Sequence, residues 1–163
     1  MAKSKTFSTK NDLAPDAREK AVALLNQHLA DTTDLYSQTK QAHWNVKGAQ
    51  FYQLHLLFDT LAGEVEAYID LIAERATALG GSAHGTVRMA ASASRLPEYP
   101  LEAVEGRQHL EALSARYAEL AKSSRAAIDT ATSFGDADTA DLFTEVSRGL
   151  DKSLWFLESH LQS

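Results

Sequence analysis

Five side chains spread over twenty residues have the types and spacing to bind metal: His55, Asp59, Glu66, Asp70 and Glu74. At about 100° per residue on a helix, the first four fall within about 60° of one another, with Glu74 slightly round the corner. His55/Asp59 and Asp70/Glu74 are i, i+4 pairs, neighbours on a helix surface that can reach one ion. A stripe of this kind also describes a solvated charged face. Against that reading, it holds four carboxylates and a histidine with no Lys or Arg before Arg75, so it is not an ion-paired surface. Carboxylates so crowded repel one another unless a cation neutralises them. His43, a few residues upstream, lies on an apolar stripe that turns its ring inward.

Distance limits what these groups can do together. His55 and Asp70 are fifteen residues apart, about 22 Å along a helix, whereas the ions of a two-metal site lie about 4 Å apart. The two pairs therefore cannot serve one site within one chain. They can if two copies of the helix cross antiparallel on a two-fold axis, which falls near Gly63-Glu64-Val65. Gly63 weakens a helix but lets a second helix come close. The intrachain alternative lacks its signature: helical di-iron bundles carry Glu-x-x-His, and no glutamate here has a histidine three residues on. His28, His84, His109 and His160 lack a convincing set of fellow metal ligands at helical spacing, and Glu105/His109 reads as an isolated pair on a helix surface.

Four long helices must position these residues. Pro15 opens the first, which runs to about Asn45 before Gly48 and buries Val22, Leu25, Leu29, Thr32, Tyr36, Thr39 and His43. The second spans about Phe51 to Leu79 on Leu54, Phe58, Leu61, Val65, Ile69 and Ile72, and ends at Gly80-Gly81. The third covers about Ala103 to Phe134 and the fourth about Thr139 to Leu161, separated at Gly135-Asp136. Short links make two antiparallel hairpins. The long stretch from Gly80 to Pro100, with a short extra helix near Thr86–Ser92, makes a crossover. The expected fold is all-α, a four-helix bundle of ferritin-like connectivity.

At 163 residues the chain has the length of one domain. It contains no cysteine, which removes disulfides and thiolate ligands. Residues 1–10 contain no apolar leader, and no apolar run reaches membrane-helix length, so a cytoplasmic protein without membrane attachment is expected. The formal charge is −6; Lys3, Lys5 and Lys10 against Asp12 give residues 1–12 a net +2, which leaves −8 to the remainder. An acidic bundle, residues 13–163, is thus preceded by a mobile basic tail, residues 1–12. A second acidic group, Asp136, Asp138, Asp141 and Glu145, opens the fourth helix. One aspartate there would cap the helix; Asp141 and Glu145 form a further i, i+4 ladder.

The segments Thr39-Lys-Gln-Ala-His43-Trp-Asn-Val-Lys-Gly48, His55-x-x-x-Asp59 and Asp70-x-x-Ala-Glu74-Arg75 together resemble the signature of the Dps family, the DNA-binding proteins from starved cells. Ala78-Leu-Gly-Gly81, Tyr99-Pro100, Asp138-Thr-Ala-Asp141 and Leu150-Asp-Lys-Ser-Leu-Trp155-Phe extend the resemblance over nearly the whole chain after Lys10. The resemblance implies a hollow dodecamer in which hydrogen peroxide oxidises Fe²⁺ and ferric mineral is stored, protecting DNA. Carried over by residue, it implies that His43, His55 and Asp59 of one subunit and Asp70 and Glu74 of its two-fold mate hold two irons. It also implies that Asp136, Asp141 and Glu145 line an iron-entry pore on a three-fold axis, and that DNA is bound without sequence preference through Lys3, Lys5 and Lys10, with nucleoid association. Trp44 and Trp155 could donate an electron, although core packing is the plainer role for each. Two other classes share these residues: a nucleoid architectural protein with little iron turnover, and a zinc-bound structural shell. The donor set itself accepts Fe²⁺, Zn²⁺ or Co²⁺.

Overall fold

The computed structural model describes residues 5–162. Its elements are α1 (Pro15–Asn45), α2 (Phe51–Ala78), α3 (Val87–Ala93), α4 (Gly106–Ser133) and α5 (Ala137–Ser159). Among the described residues there is no strand, only an isolated parallel bridge between Lys47 and Glu105. The all-α bundle is therefore as expected, and the extra helix in the crossover is present as α3. No described helix is long and apolar enough to cross a membrane.

The helix ends follow local chemistry. Pro15 occupies the first turn of α1, where its missing N–H leaves no bond unmade. The Thr86 hydroxyl accepts from the Met89 amide and starts α3. α4 begins at Gly106 rather than Ala103, because Glu105 and Gln108 form a capping box and the Val104 carbonyl is already committed to the Lys47 amide. α5 begins at Ala137, two residues before Thr139, because Asp136 is its N-cap. Gly135, at φ +83°, makes the left-handed turn between α4 and α5.

α1 packs on α2 and α4 on α5 as antiparallel hairpins, and α2 runs antiparallel to α5. Glu64 meets Ser153 near one end of that last contact and Arg75 meets Thr139 near the other. Leu54, Phe58, Leu61, Leu113, Tyr117 and Leu150 fill one level of the core, and Leu25, Leu29, Ile72 and Phe143 a second. Each such side chain contributes about 1.5–3 kcal/mol on full burial. The crossover is fastened along one side of α1. Asn26 donates to the Ser82 carbonyl, Gln27 to that of Ala93, and Gln38 to that of Pro97. The buried Asp31 carboxylate accepts from the Arg95 amide, Nε and Nη2, the last at 2.6 Å. A buried charge with that many donors is satisfied rather than stranded.

The described part of the tail is bonded to the bundle. The Phe7 amide donates to the Gly80 carbonyl at 2.8 Å, and the Ser82 hydroxyl donates to the Lys5 carbonyl at 3.0 Å. Arg18 Nη1 then donates to the carbonyls of Asn11 and Leu13. Gly80, at φ +84°, has room for no side chain: a Cβ there would lie 2.6 Å from the Phe7 oxygen.

Candidate metal centre

His43 is in the last turn of α1 and His55 in the second turn of α2, and the turn between the two helices folds one ring onto the other. The ring centroids are 3.8 Å apart with planes inclined by 19°. His43 Nδ1 lies 2.8 Å from the His55 carbonyl, and His55 Nδ1 lies 2.8 Å from the His43 carbonyl. A carbonyl only accepts, so each Nδ1 carries the proton. In the neutral ring this assigns the tautomer and turns the lone pair to Nε2. Two imidazoles are thus held by reciprocal backbone bonds that leave Nε2 of each outside the exchange.

Asp59, one turn beyond His55, places Oδ1 3.8 Å from His43 Nε2. The same oxygen accepts a hydrogen bond from Lys40 Nζ at 2.7 Å. That bond, helped by the nearby positive charge, holds the exposed carboxyl below its ordinary range. Lys40 corrects the reading of an unpaired acidic stripe: α2 supplies no cation before Arg75, but α1 reaches across with one. Its signal in the sequence is its place one turn before His43, on the same side of α1.

Asp70 and Glu74 lie further along α2, exposed, and no described side chain bonds to either carboxylate; Glu66 is exposed as well. The fold does not bring them to the histidines, and no three of His, Asp and Glu converge as a cation site among the described residues. Gly63 falls between the two groups. A Cβ added there would meet nothing within 4 Å, so packing inside the chain gives no reason for a glycine at this position.

The acidic group at α5 divides in two. Asp136 is 1% exposed: Oδ1 accepts from the Thr139 amide and from Arg75 Nη2 at 2.7 Å, and the Thr139 hydroxyl donates to Oδ2. It is a cap neutralised by arginine, with no surface to offer a passing ion. Asp138 lies 3.6 Å from Arg75 Nη1. Asp141 and Glu145 are exposed, and neither carboxylate has a bonded partner among the described residues. Of the tail lysines, Lys5 stands over the Phe7 ring and Lys10 is exposed, while Lys3 lies outside the described residues.

Three further expectations change. Trp44 and Trp155 are 65% and 61% exposed, so neither packs the core of this chain. His109 is buried, not on a helix surface; its Nδ1 is 2.6 Å from the Tyr99 hydroxyl, and burial lowers its pKa. His28 is also buried: its Nδ1 donates to the Leu24 carbonyl and its ring tilts against Phe143.

A bundle of two hairpins with a long crossover is the ferritin-like arrangement, and the sequence profile of the ferritin-like domain matches residues 22–163. A DNA protection during starvation protein of Agrobacterium fabrum is 48% identical over 158 residues, 97% of this chain and 98% of its own. DpsC from Streptomyces coelicolor superposes with a TM-score of 0.93 at 35% identity, over 98% of this chain and 93% of that one. The Dps protein of Vibrio cholerae O1, a member of a broad superfamily of ferritin-like diiron-carboxylate proteins, gives 0.89 at 25% identity over 95% and 97%. The chain belongs to the Dps family.

Proposed function

We propose that this protein oxidises Fe²⁺ with hydrogen peroxide at a centre shared by two subunits and stores the ferric product inside a hollow homo-oligomer, a dodecamer. His43, His55 and Asp59 of one subunit and Asp70 and Glu74 of its two-fold mate would bind two irons as substrate. The observation that carries this is the reciprocal fixing of the two histidines. Both Nε2 lone pairs are prepared for a metal, yet the chain lacks the carboxylates to complete the site, while two free carboxylates stand about 22 Å along the same helix. The open glycine between the two groups is where a second α2 would cross.

The chemistry balances without further cofactors. Two Fe²⁺ each give one electron to one H₂O₂, and with two protons the products are two Fe³⁺ and two waters. DNA is protected because Fe²⁺ and peroxide are consumed together. Direct contact with DNA phosphates through Lys3, Lys5 and Lys10 is a secondary role, sequence-independent and additive over many tails. Asp141 and Glu145 draw cations towards an entry pore by their charge; Asp136, neutralised by Arg75, supports that region structurally.

The test is single-turnover oxidation of added Fe²⁺, followed separately with peroxide and with oxygen, in wild type and in Asp70→Asn/Glu74→Gln. The substitutions keep size and remove two charges, so assembly should persist while metal affinity and fast oxidation fall together. A wild-type rate in the variant would overturn the site. A wild type that binds Zn²⁺ but never turns over Fe²⁺ would establish the structural shell instead.

A further inference from the structure

Asp59 offers one oxygen to two claimants. Its Oδ1 is 3.8 Å from His43 Nε2, close enough to share an ion with it, and 2.7 Å from Lys40 Nζ. A metal bound to that oxygen at about 2.0–2.2 Å would stand within a few ångströms of the ammonium, and the repulsion excludes holding both. The lysine is not a loose surface chain: its side chain is 20% exposed against 55% for Asp59. Its ammonium also stands over the ring of Trp44, one turn further along α1, 5.8 Å from the centroid, a contact it can keep when it leaves the carboxylate.

We propose that Lys40 is a displaceable counter-cation, a positioning residue that occupies Asp59 until a divalent ion arrives and then withdraws over Trp44. The proposal rests on the ferroxidase reading given above. With Asp59 and the partner's two carboxylates facing two imidazoles, the metal-free centre would gather three carboxylate charges; one resident ammonium reduces that repulsion without bonding to either Nε2. It also sets a threshold. A cation that takes only oxygen ligands, such as Mg²⁺, must break a charge-assisted bond in exchange for a carboxylate. A cation that also gains imidazole nitrogen, such as Fe²⁺ or Co²⁺, is compensated. Lys40 therefore weakens every ion that takes Asp59 by a common factor, which an ion that also gains imidazole nitrogen can absorb and an ion limited to oxygen ligands cannot.

The test uses the assembled particle and Co²⁺ as a redox-silent probe, read by its visible absorption, with Mg²⁺ as competitor. Lys40→Met keeps the stem and removes the charge, Lys40→Gln does so with a polar end, and Lys40→Arg keeps the charge. Both neutral variants should bind Co²⁺ more tightly, by about five-fold at the upper end for a partly exposed ion pair. Mg²⁺ affinity should rise by a similar factor, so its competition against Co²⁺ should stay near the wild-type ratio, and Lys40→Arg should stay near wild type in both affinities. In an Asp59→Asn background the same changes at Lys40 should have a much smaller effect, since the contested carboxylate charge is gone. If Asp59→Asn weakens Co²⁺ binding but neither neutral variant alters the affinity for Co²⁺ or for Mg²⁺, the counter-cation role is wrong and the metal centre stands. If Asp59→Asn and His43→Asn both bind Co²⁺ as wild type does, the centre itself is wrong, and the role of Lys40 falls with it.

Discussion

Replacing Gly63 gives opposite outcomes for a lone chain and for an assembled one. In the isolated chain a Cβ at Gly63 meets nothing within 4 Å, and the backbone there is ordinary helix. Gly63→Ala should therefore raise the stability of the chain itself by about 0.8–1 kcal/mol, the helix-propensity difference. If two α2 helices cross at this position, the added atoms enter a contact between axes about 8–10 Å apart. Gly63→Leu would then overpack that contact by about 1–3 kcal/mol per copy, twice in each two-fold pair. That exceeds the gain in propensity, so Leu should shift assembly toward smaller species while the dissociated fraction keeps its helicity. Sedimentation velocity across a concentration series reads the first effect, and circular dichroism of the separated fractions reads the second. A Gly63→Leu particle that assembles at wild-type concentrations and melts higher would refute the crossing of α2 near this residue.

Other perturbations test separate parts of the account. Asp141→Asn with Glu145→Gln should slow iron uptake at low ionic strength and have little effect in high salt, because charge steering is screened beyond about 8–10 Å; equal uptake at every salt concentration would remove the entry role. Burial holds the pKa of His28 below its ordinary 6.5, with Arg95 adding to the depression and Asp31 opposing it. The unfolded chain then binds the extra proton first, so this contribution to stability is present above pH 6.5 and is lost as pH falls toward the depressed value. His28→Gln should flatten the fall in melting temperature on the acid side of 6.5, and an unchanged slope would clear His28 of that role. Deleting residues 2–10 should abolish any DNA gel shift at low salt while sparing iron oxidation, although it also removes the bond from Phe7 to Gly80 and should lower the melting temperature modestly. A shift that survives the deletion would place DNA contact on another surface.

The long helices were legible because apolar spacing, Pro15 and the Gly80-Gly81 and Gly135-Asp136 breaks are local signals. The start of α4 was not, because it depends on Val104 meeting Lys47, a contact made only when the crossover returns to the α1–α2 turn. Type and spacing marked His55, Asp59, Glu66, Asp70 and Glu74 with His43 nearby, and the resemblance selected His43, His55, Asp59, Asp70 and Glu74 from them. The pairing that organises two of them was not legible: the exchange of Nδ1–H bonds between His43 and His55 runs to backbone carbonyls, which leave no mark in composition. Lys40 escaped for a related reason, since a charge balance taken along one helix misses a cation supplied by its neighbour. The burial of Asp136 with Arg75 joins the ends of α2 and α5, sixty-one residues apart, and only the packing shows that one acid of the cluster is structural.

Subunit complementation tests the shared centre most directly. One variant, His43→Asn/His55→Asn, lacks the imidazole half; the other, Asp70→Asn/Glu74→Gln, lacks the carboxylate half. Each should assemble and fail to oxidise Fe²⁺ rapidly. In particles co-assembled from equal amounts, half of the two-fold pairs are mixed, and each mixed pair contains one whole site and one doubly defective site. Peroxide-driven oxidation should therefore return to roughly a quarter of the wild-type rate. Co-assembled particles no faster than the two variants measured separately would contradict a site shared between subunits.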